Sequence, residues 1–285
     1  MTAIQWYPGH MTKTARILAD SIKLVDIIIE VLDARIPYSS GNPDFDKLFL
    51  GKKRLMLLNK EDLADPEVSL LWREYFAQSG IKAIFTDLKT GNGIKAVKNE
   101  LRKIGEEKSA KKASKGVVHR PVRVLVAGIP NSGKSTLINK LAGRASAKTA
   151  DKPGVTKAKQ WIKIDNGVDL LDTPGILWPK FENREVALNL AYTGAIKDAV
   201  TDIEEISEAL LRRILECYPE CLAARYKISV SELSHNSILG IVAKKRGFLL
   251  AGGEVDLHRA ASIVLDEFRA ARIGRISLER PQEKS

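Results

Sequence analysis

The chain has 285 residues, 44% of them hydrophobic, and carries 46 Lys+Arg against 35 Asp+Glu for a formal net charge of +11. That length is enough for a full core and two domains. No apolar run approaches the roughly 20 residues of a membrane span, and Met1-Thr-Ala-Ile-Gln-Trp6 lacks the charged and apolar regions of a signal peptide, so a cytoplasmic location is expected. The charge is concentrated: residues 95–165 hold 18 Lys+Arg against 5 Asp+Glu, whereas residues 1–94 hold 12 of each and residues 186–285 hold 14 of each. Either lysines solubilise a linker there, or the middle of the chain faces a polyanion, most simply RNA. Cys217 and Cys221 have no other Cys or clustered His nearby, so they read as reduced thiols and not as a metal site.

In chain order, Trp6-Tyr-Pro-Gly-His-Met11 pairs two anchoring aromatics with a turn at Pro8-Gly9. Thr12 to Leu24 reads as a helix, and Val25 to Leu32 as a buried strand that ends at Asp33-Ala-Arg-Ile-Pro37, with polar and acidic residues through Asp46. Lys53 to Leu58 is a second strand, ending in Asn59-Lys-Glu-Asp62. The Asp62 carboxylate can accept from guanine N1–H and the 2-amino group; adenine has neither donor and would leave a buried carboxylate unpaired. Asn59 would hold the loop near the base edge, and the Lys60 stem would lie over the purine. Pro66 to Gln78 is a helix stopped by Gly80, and Lys82 to Phe85 a short strand. In the following loop, Asp87-Leu88 can present backbone to guanine O6; a helix from Ile94 to Ile104 comes next. Gly105 to Arg120 is Lys-rich without apolar periodicity and reads as an exposed linker.

Val122 to Ala127 is a buried strand, followed by Gly128-Ile-Pro-Asn-Ser-Gly-Lys-Ser135 and a helix from Ser135 to Leu141. The two glycines let backbone N–H groups turn toward phosphate oxygens, and the helix N-terminus adds partial positive charge. Lys134 would reach the β- and γ-phosphates, and the Ser135 hydroxyl would ligate Mg²⁺. Asn131, Ser132, Gly133, Lys134, Ser135 and Thr136 are the candidate phosphate-site residues. Beyond them, Thr156 is the second candidate hydroxyl for Mg²⁺. Lys159 to Ile164 and Val168 to Leu171 form a hairpin through Asp165-Asn-Gly167. It leads to Asp172-Thr-Pro-Gly175, in which Asp172 would hold Mg²⁺ through water and the Gly175 N–H would touch the γ-phosphate. From Val186 to Arg272 the pattern is helical, broken at Gly194, Pro219, Gly240 and Gly252-Gly253. Its basic clusters, Arg212-Arg213, Lys244-Lys245-Arg246 and Arg269 with Arg272 and Arg275, are solvated faces or phosphate contacts.

An ordinary small GTPase runs from phosphate loop through switch threonine, DxxG and NKxD to the last base loop. Here Asn59–Asp62 and the loop at Gly91 precede the phosphate loop, so the same set is cyclically reordered. The ordered motifs closely resemble the circularly permuted GTPases, specifically the ribosome biogenesis GTPase A (YlqF-type) family. The matching pieces are Trp6 to Met11, Asp33 to Pro37, Leu58 to Asp62, Gly128 to Ser135, Pro153 to Thr156, Asp172 to Gly175, Gly252 to Asp256 and Phe268-Arg269. The resemblance implies an α/β fold, with a circularly permuted P-loop GTPase (G) domain over residues 1–185, including a basic linker at about 105–120. An all-helical C-terminal RNA-binding domain over residues 186–285 follows. It further implies GTP hydrolysis to GDP in late maturation of the large ribosomal subunit, with the pre-ribosome and its rRNA as partners of a monomer. Binding would occur in the GTP state and release after hydrolysis. Mg²⁺ is the expected cofactor and K⁺ the expected stimulant, with Asn131 matching the loop asparagine that accompanies it. Asp87-Leu-Lys89 departs from the Ser-Ala-Lys common in relatives.

Ile176 stands where many GTPases have a water-orienting glutamine, so the polar group must come from elsewhere. His10 is the best candidate; packing or RNA contact is its plainer role. A GTP-gated RNA-binding module not dedicated to the ribosome is the alternative function, while Asn59-Lys-x-Asp62 disfavours an ATP-using kinase.

Overall fold

The structure is a computed structural model that describes residues 18–113, 121–143, 160–164, 167–172, 183–233 and 237–281. Its centre is β1 (Ile27–Asp33), buried at all seven positions. Parallel neighbours flank it on both sides, β2 (Lys53–Asn59) and β4 (Val122–Ala127), which explains a run of Ile and Val rather than an apolar–polar alternation. β3 (Ala83–Thr86) extends the sheet beyond β2, and β6 (Val168–Asp172) beyond β4. β5 (Gln160–Ile164) is the antiparallel edge, giving the order β3-β2-β1-β4-β6-β5. The phosphate-loop strand thus lies between a strand that precedes it in sequence and one that follows, so the rotated motif order still yields one sheet.

Successive β1 side chains feed opposite faces, as strand geometry requires. Ile27, Ile29 and Val31 pack with Val97 and Leu101 of α3 (Ile94–Ala113) and with Leu137 and Ile138 of α4 (Lys134–Ala142). Ile28 packs with Leu18, Ile22 and Phe45, the last from the short α1 (Asp44–Leu48). Leu32 and Leu58 meet Val68, Trp72 and Phe76 of α2 (Pro66–Gln78). Asp65 caps α2 by accepting from the Glu67 N–H at 2.8 Å, and Pro66 opens it.

After β6 the described elements are helical: α5 (Arg184–Tyr192), α6 (Ile203–Cys217), α7 (Pro219–Tyr226), α8 (Ile238–Lys245) and α9 (Leu257–Arg269), with single 3₁₀ turns between some of them. Their common core of Leu190, Leu210, Leu211, Ile214, Val242, Leu265 and Phe268 also takes in Ile36 and Ile129 from loops of the sheet. Among the described residues no helix is long and apolar enough to cross a membrane. Cys217 and Cys221 are both free thiols.

Three expectations change. The sequence reading stops α3 at Ile104 and begins a linker at Gly105, yet α3 continues to Ala113. Good helix formers carry it without an apolar stripe, and Lys108 pins it, its Nζ lying 2.5 Å from Asp26 Oδ2 and 3.3 Å from Pro121 O. Gly240 does not break the helices: it is the third residue of α8, where its N–H donates to the capping Ser237 Oγ at 3.1 Å. The break lies between α8 and α9, where Leu249 and Val255 form an antiparallel bridge. Several basic clusters are internal fastenings. Arg269 pairs with Asp198 and donates to the Tyr192 and Ala191 carbonyls at 3.0 and 2.9 Å. Arg212 pairs with Glu208, Arg246 with Glu267, and Arg275 donates to backbone carbonyls. Lys244, Lys245 and Arg272 are exposed.

Candidate functional site

The carboxyl ends of β2, β3 and β4 converge, which is where parallel α/β sheets bind ligands. Gly128 leaves β4 at φ +149°, and a Cβ there would stand 2.5 Å from Val31 O. Gly133 has φ +109°, and its Cβ would stand 2.3 Å from Asn59 Nδ2. Both positions therefore need glycine, one to pass β1 and the other to admit the Asn59 amide. Lys134 begins α4, is buried, and its Nζ donates to Ile129 O across the loop at 2.7 Å. The Ser132 side-chain hydroxyl is buried without a hydrogen-bond partner among the described residues. Ser135 and Thr136 follow in the first turn of α4.

Asn59 clasps the three loops together. Its Nδ2 donates to Ser132 O in the phosphate loop at 2.8 Å, and its Oδ1 accepts from the Leu88 N–H at 3.1 Å. Leu88 thereby directs its amide to Asn59. Asp87 shapes its own loop, accepting from the Lys89 and Thr90 N–H groups at 2.9 and 3.2 Å. Asp62 lies in a 3₁₀ turn, Glu61–Leu63. Burial raises its carboxyl pKa above the ordinary value, and the neighbouring Asp87 carboxylate raises it further. With Asp87 turned to its own loop, the Asp62 carboxylate is the group here suited to a ligand edge rich in N–H donors.

Lys60 enters the turn with φ +64° and sends its ammonium to Asp33 Oδ2 at 2.9 Å. Asp33, the last residue of β1, also takes both Arg35 Nε and NH2, at 3.0 and 2.8 Å. Burial opposes ionisation of Asp33, but Arg35 and Lys60 outweigh it and hold the carboxyl far below the usual range. The Arg35 guanidinium in turn lies 5.2 Å from the Phe268 ring centroid of α9. Asp33-Ala-Arg35 is legible in sequence only as a motif; its contact with the Lys60 ammonium gives it the work of holding that side chain.

The phosphate loop also touches the helical part. Asn131, at φ +58°, donates from Nδ2 to Gly194 O at 2.7 Å, just beyond α5. For Mg²⁺, the fitting pieces are the Ser135 hydroxyl at the α4 N-terminus and Asp172, which ends β6 directly beside Val126 of β4. Asp172 ends its strand and Ser135 follows the loop after β4, and hydroxyl and carboxylate oxygens are the donor types that suit a hard cation. Among the described residues there is no cluster of three or more His, Cys, Asp or Glu suited to a metal. His10, Thr156 and Gly175 lie outside the described residues.

A family model described as a 50S ribosome-binding GTPase matches residues 123–220, beginning inside the phosphate-loop strand. The chain is 44% identical over 280 residues to the Ribosome biogenesis GTPase A of Bacillus cereus, covering 98% of this chain and 95% of that one. It is 36% identical over 282 residues to the protein of the same name from Thermotoga maritima, covering 98% and 95%. Its fold matches the crystal structure of GNP-bound YlqF from T. maritima with a TM-score of 0.64 at 32% identity, covering 95% of this chain and all of that one. The GDP-bound form matches at 0.60 and 33%, covering 92% and 97%.

Proposed function

This chain belongs to the ribosome biogenesis GTPase A family and is a GTP hydrolase, and from that premise we propose that it serves late maturation of the large ribosomal subunit. It binds the precursor particle and its rRNA in the GTP state and leaves after hydrolysis, acting as a cytoplasmic monomer. The nucleotide is held by residues 1–185 and the RNA by the helical residues 186–285. The observation that carries this reading is the bond from Asn131 of the phosphate loop to Gly194 O. It joins the nucleotide site to the helical part, so a change at the phosphates has a direct path to the surface that would meet RNA.

In this mechanism Asp62 accepts from the guanine edge, Asn59 holds the base and phosphate loops in register, and the Lys60 stem covers the purine while Asp33 fixes its ammonium. The Asp87-Leu88 turn closes the site near guanine O6. The phosphate loop, Asn131 to Thr136, cradles the phosphates with Lys134 on the β- and γ-oxygens. Ser135, Thr156 and Asp172 would hold Mg²⁺, which neutralises developing phosphate charge when bound. Gly175 contacts the γ-phosphate. Asn131 would supply its amide oxygen to K⁺ when that ion is bound.

Water positioning falls to His10, because Ile176 has no polar group. Large-subunit precursors should stimulate turnover strongly. His10→Ala should lower stimulated kcat by about tenfold or more while GTP affinity stays intact. Normal stimulated turnover with weakened particle binding would make His10 a docking residue. Turnover indifferent to the particle would favour a GTP-gated RNA-binding module of another pathway.

A further inference from the structure

The Asp62 turn is too short to hold itself. Glu61–Leu63 is a single 3₁₀ turn entered through a left-handed lysine, and its hydrogen bonds are few. The chain's last described segment fastens it. Arg275 Nε donates to Ala64 O and its NH2 to Glu61 O, both at 2.8 Å, so one guanidinium spans the two ends of the turn. The Ile276 N–H donates to Leu63 O at 3.2 Å, and Ser277 Oγ accepts from the Asp65 N–H at 3.1 Å. Tyr218 adds its hydroxyl, donated to Asp65 Oδ2 at 2.9 Å.

The segment is itself firmly seated. Ile273, Ile276 and Leu278 are buried in the helical core. The Leu278 N–H donates to Arg35 O at 2.9 Å, beside the Asp33–Lys60 pair. At its far end the Glu279 carboxylate accepts from the Tyr38 and Ser39 N–H groups at 2.7 and 3.0 Å and from Asn189 Nδ2 at 3.0 Å. Trp72 Nε1 donates to the Glu279 carbonyl at 3.2 Å. Charge-assisted bonds such as those of Glu279 and Arg275 are the stronger ones, and they hold the segment at both ends.

We propose that Arg275 is a positioning residue for guanine recognition, supplied from the segment after α9 to fix the Asp62 carboxylate against the base edge. This rests on the reading that Asp62 takes guanine N1–H and the 2-amino group. The two carbonyls that Arg275 holds flank Asp62, and the phosphate loop is not among its partners. Loosening the turn therefore weakens base contacts and spares phosphate contacts. Coupling is reciprocal: a bound guanine nucleotide steadies the segment as the segment steadies the turn.

Inosine triphosphate separates this role from simple fastening, because its base has N1–H but no 2-amino group. Arg275→Ala should lower GTP affinity about tenfold and inosine triphosphate affinity less, reducing the preference between them at least about threefold. Arg275→Lys keeps the charge on a single donor nitrogen that cannot span both carbonyls, and should fall between. In the unaltered protein, GDP should slow hydrogen exchange at the Ile276 and Leu278 amides. An unchanged preference in Arg275→Ala, with or without a loss of urea stability, would overturn the proposal. If Arg275→Ala does not fold, Arg275→Lys decides by the same ratio. Asp62→Asn is the control: if it abolishes guanine preference while the Arg275 variants leave the ratio untouched, only this proposal fails. If Asp62→Asn leaves guanine preference unchanged, the base-site reading falls and the positioning role with it.

Discussion

Asp62→Asn should exchange guanine for xanthine preference, lowering GTP affinity about a hundredfold or more while xanthosine triphosphate gains. A carboxylate accepts from both N1–H and the 2-amino group of guanine. An asparagine amide offers one acceptor and one donor, which matches the N1–H and C2 carbonyl of xanthine and sets donor against donor on guanine. The effect is large because the amide loses one acceptor and sets a donor against guanine in its place; burial and the Asp87 charge already raise the Asp62 carboxyl pKa. The same shift gives a pH dependence. Protonation converts one acceptor oxygen to a donor, so guanine affinity should begin to fall at a pH above that of an ordinary aspartate. Competition between GTP and xanthosine triphosphate measures the exchange. A variant that keeps its GTP preference would remove Asp62 from the base site.

Lys134→Ala should lower the single-turnover rate of GTP hydrolysis about a hundred- to a thousandfold, the range for removing one preorganised charge or donor from a transition state. Its stem is buried and its ammonium lies against Ile129 O, so the charge sits within the loop that would enclose the phosphates. Lys134→Arg should restore little, since a planar fork does not fit a space shaped for a compact ammonium. Preference between GTP and inosine triphosphate should be unaffected, because Lys134 is remote in role from the base edge. Hydrolysis near the unaltered rate in Lys134→Ala would exclude this lysine from catalysis.

What could be read from sequence was what is written in local strings. The phosphate loop, Asn59–Asp62 and the β5–β6 hairpin each announce themselves within a few residues, and the Ile and Val run of β1 is what burial between two parallel strands selects. The helix over residues 105–113 reads as linker in sequence because it has no apolar stripe; its anchor, Lys108 to Asp26, joins residues far apart in sequence. Asp33-Ala-Arg35 was visible as a motif, but its meaning depends on Lys60 and on Phe268 from α9. Arg275 read as one member of a basic cluster because its partners are backbone carbonyls, which leave no mark in a sequence. Asn59 was legible in type and place, while its double clasp on Ser132 and Leu88 required the fold.

On the proposed function, nucleotide state is sensed where Asn131 meets Gly194 and controls attachment to the large-subunit precursor. Sedimentation of the protein with precursor particles through a sucrose gradient tests it most directly, in parallel with a nonhydrolysable GTP analogue and with GDP. The protein should travel with the large-subunit precursor in the analogue and remain near the top of the gradient in GDP. Equal co-sedimentation with both nucleotides, or with neither, would exclude attachment controlled by nucleotide state.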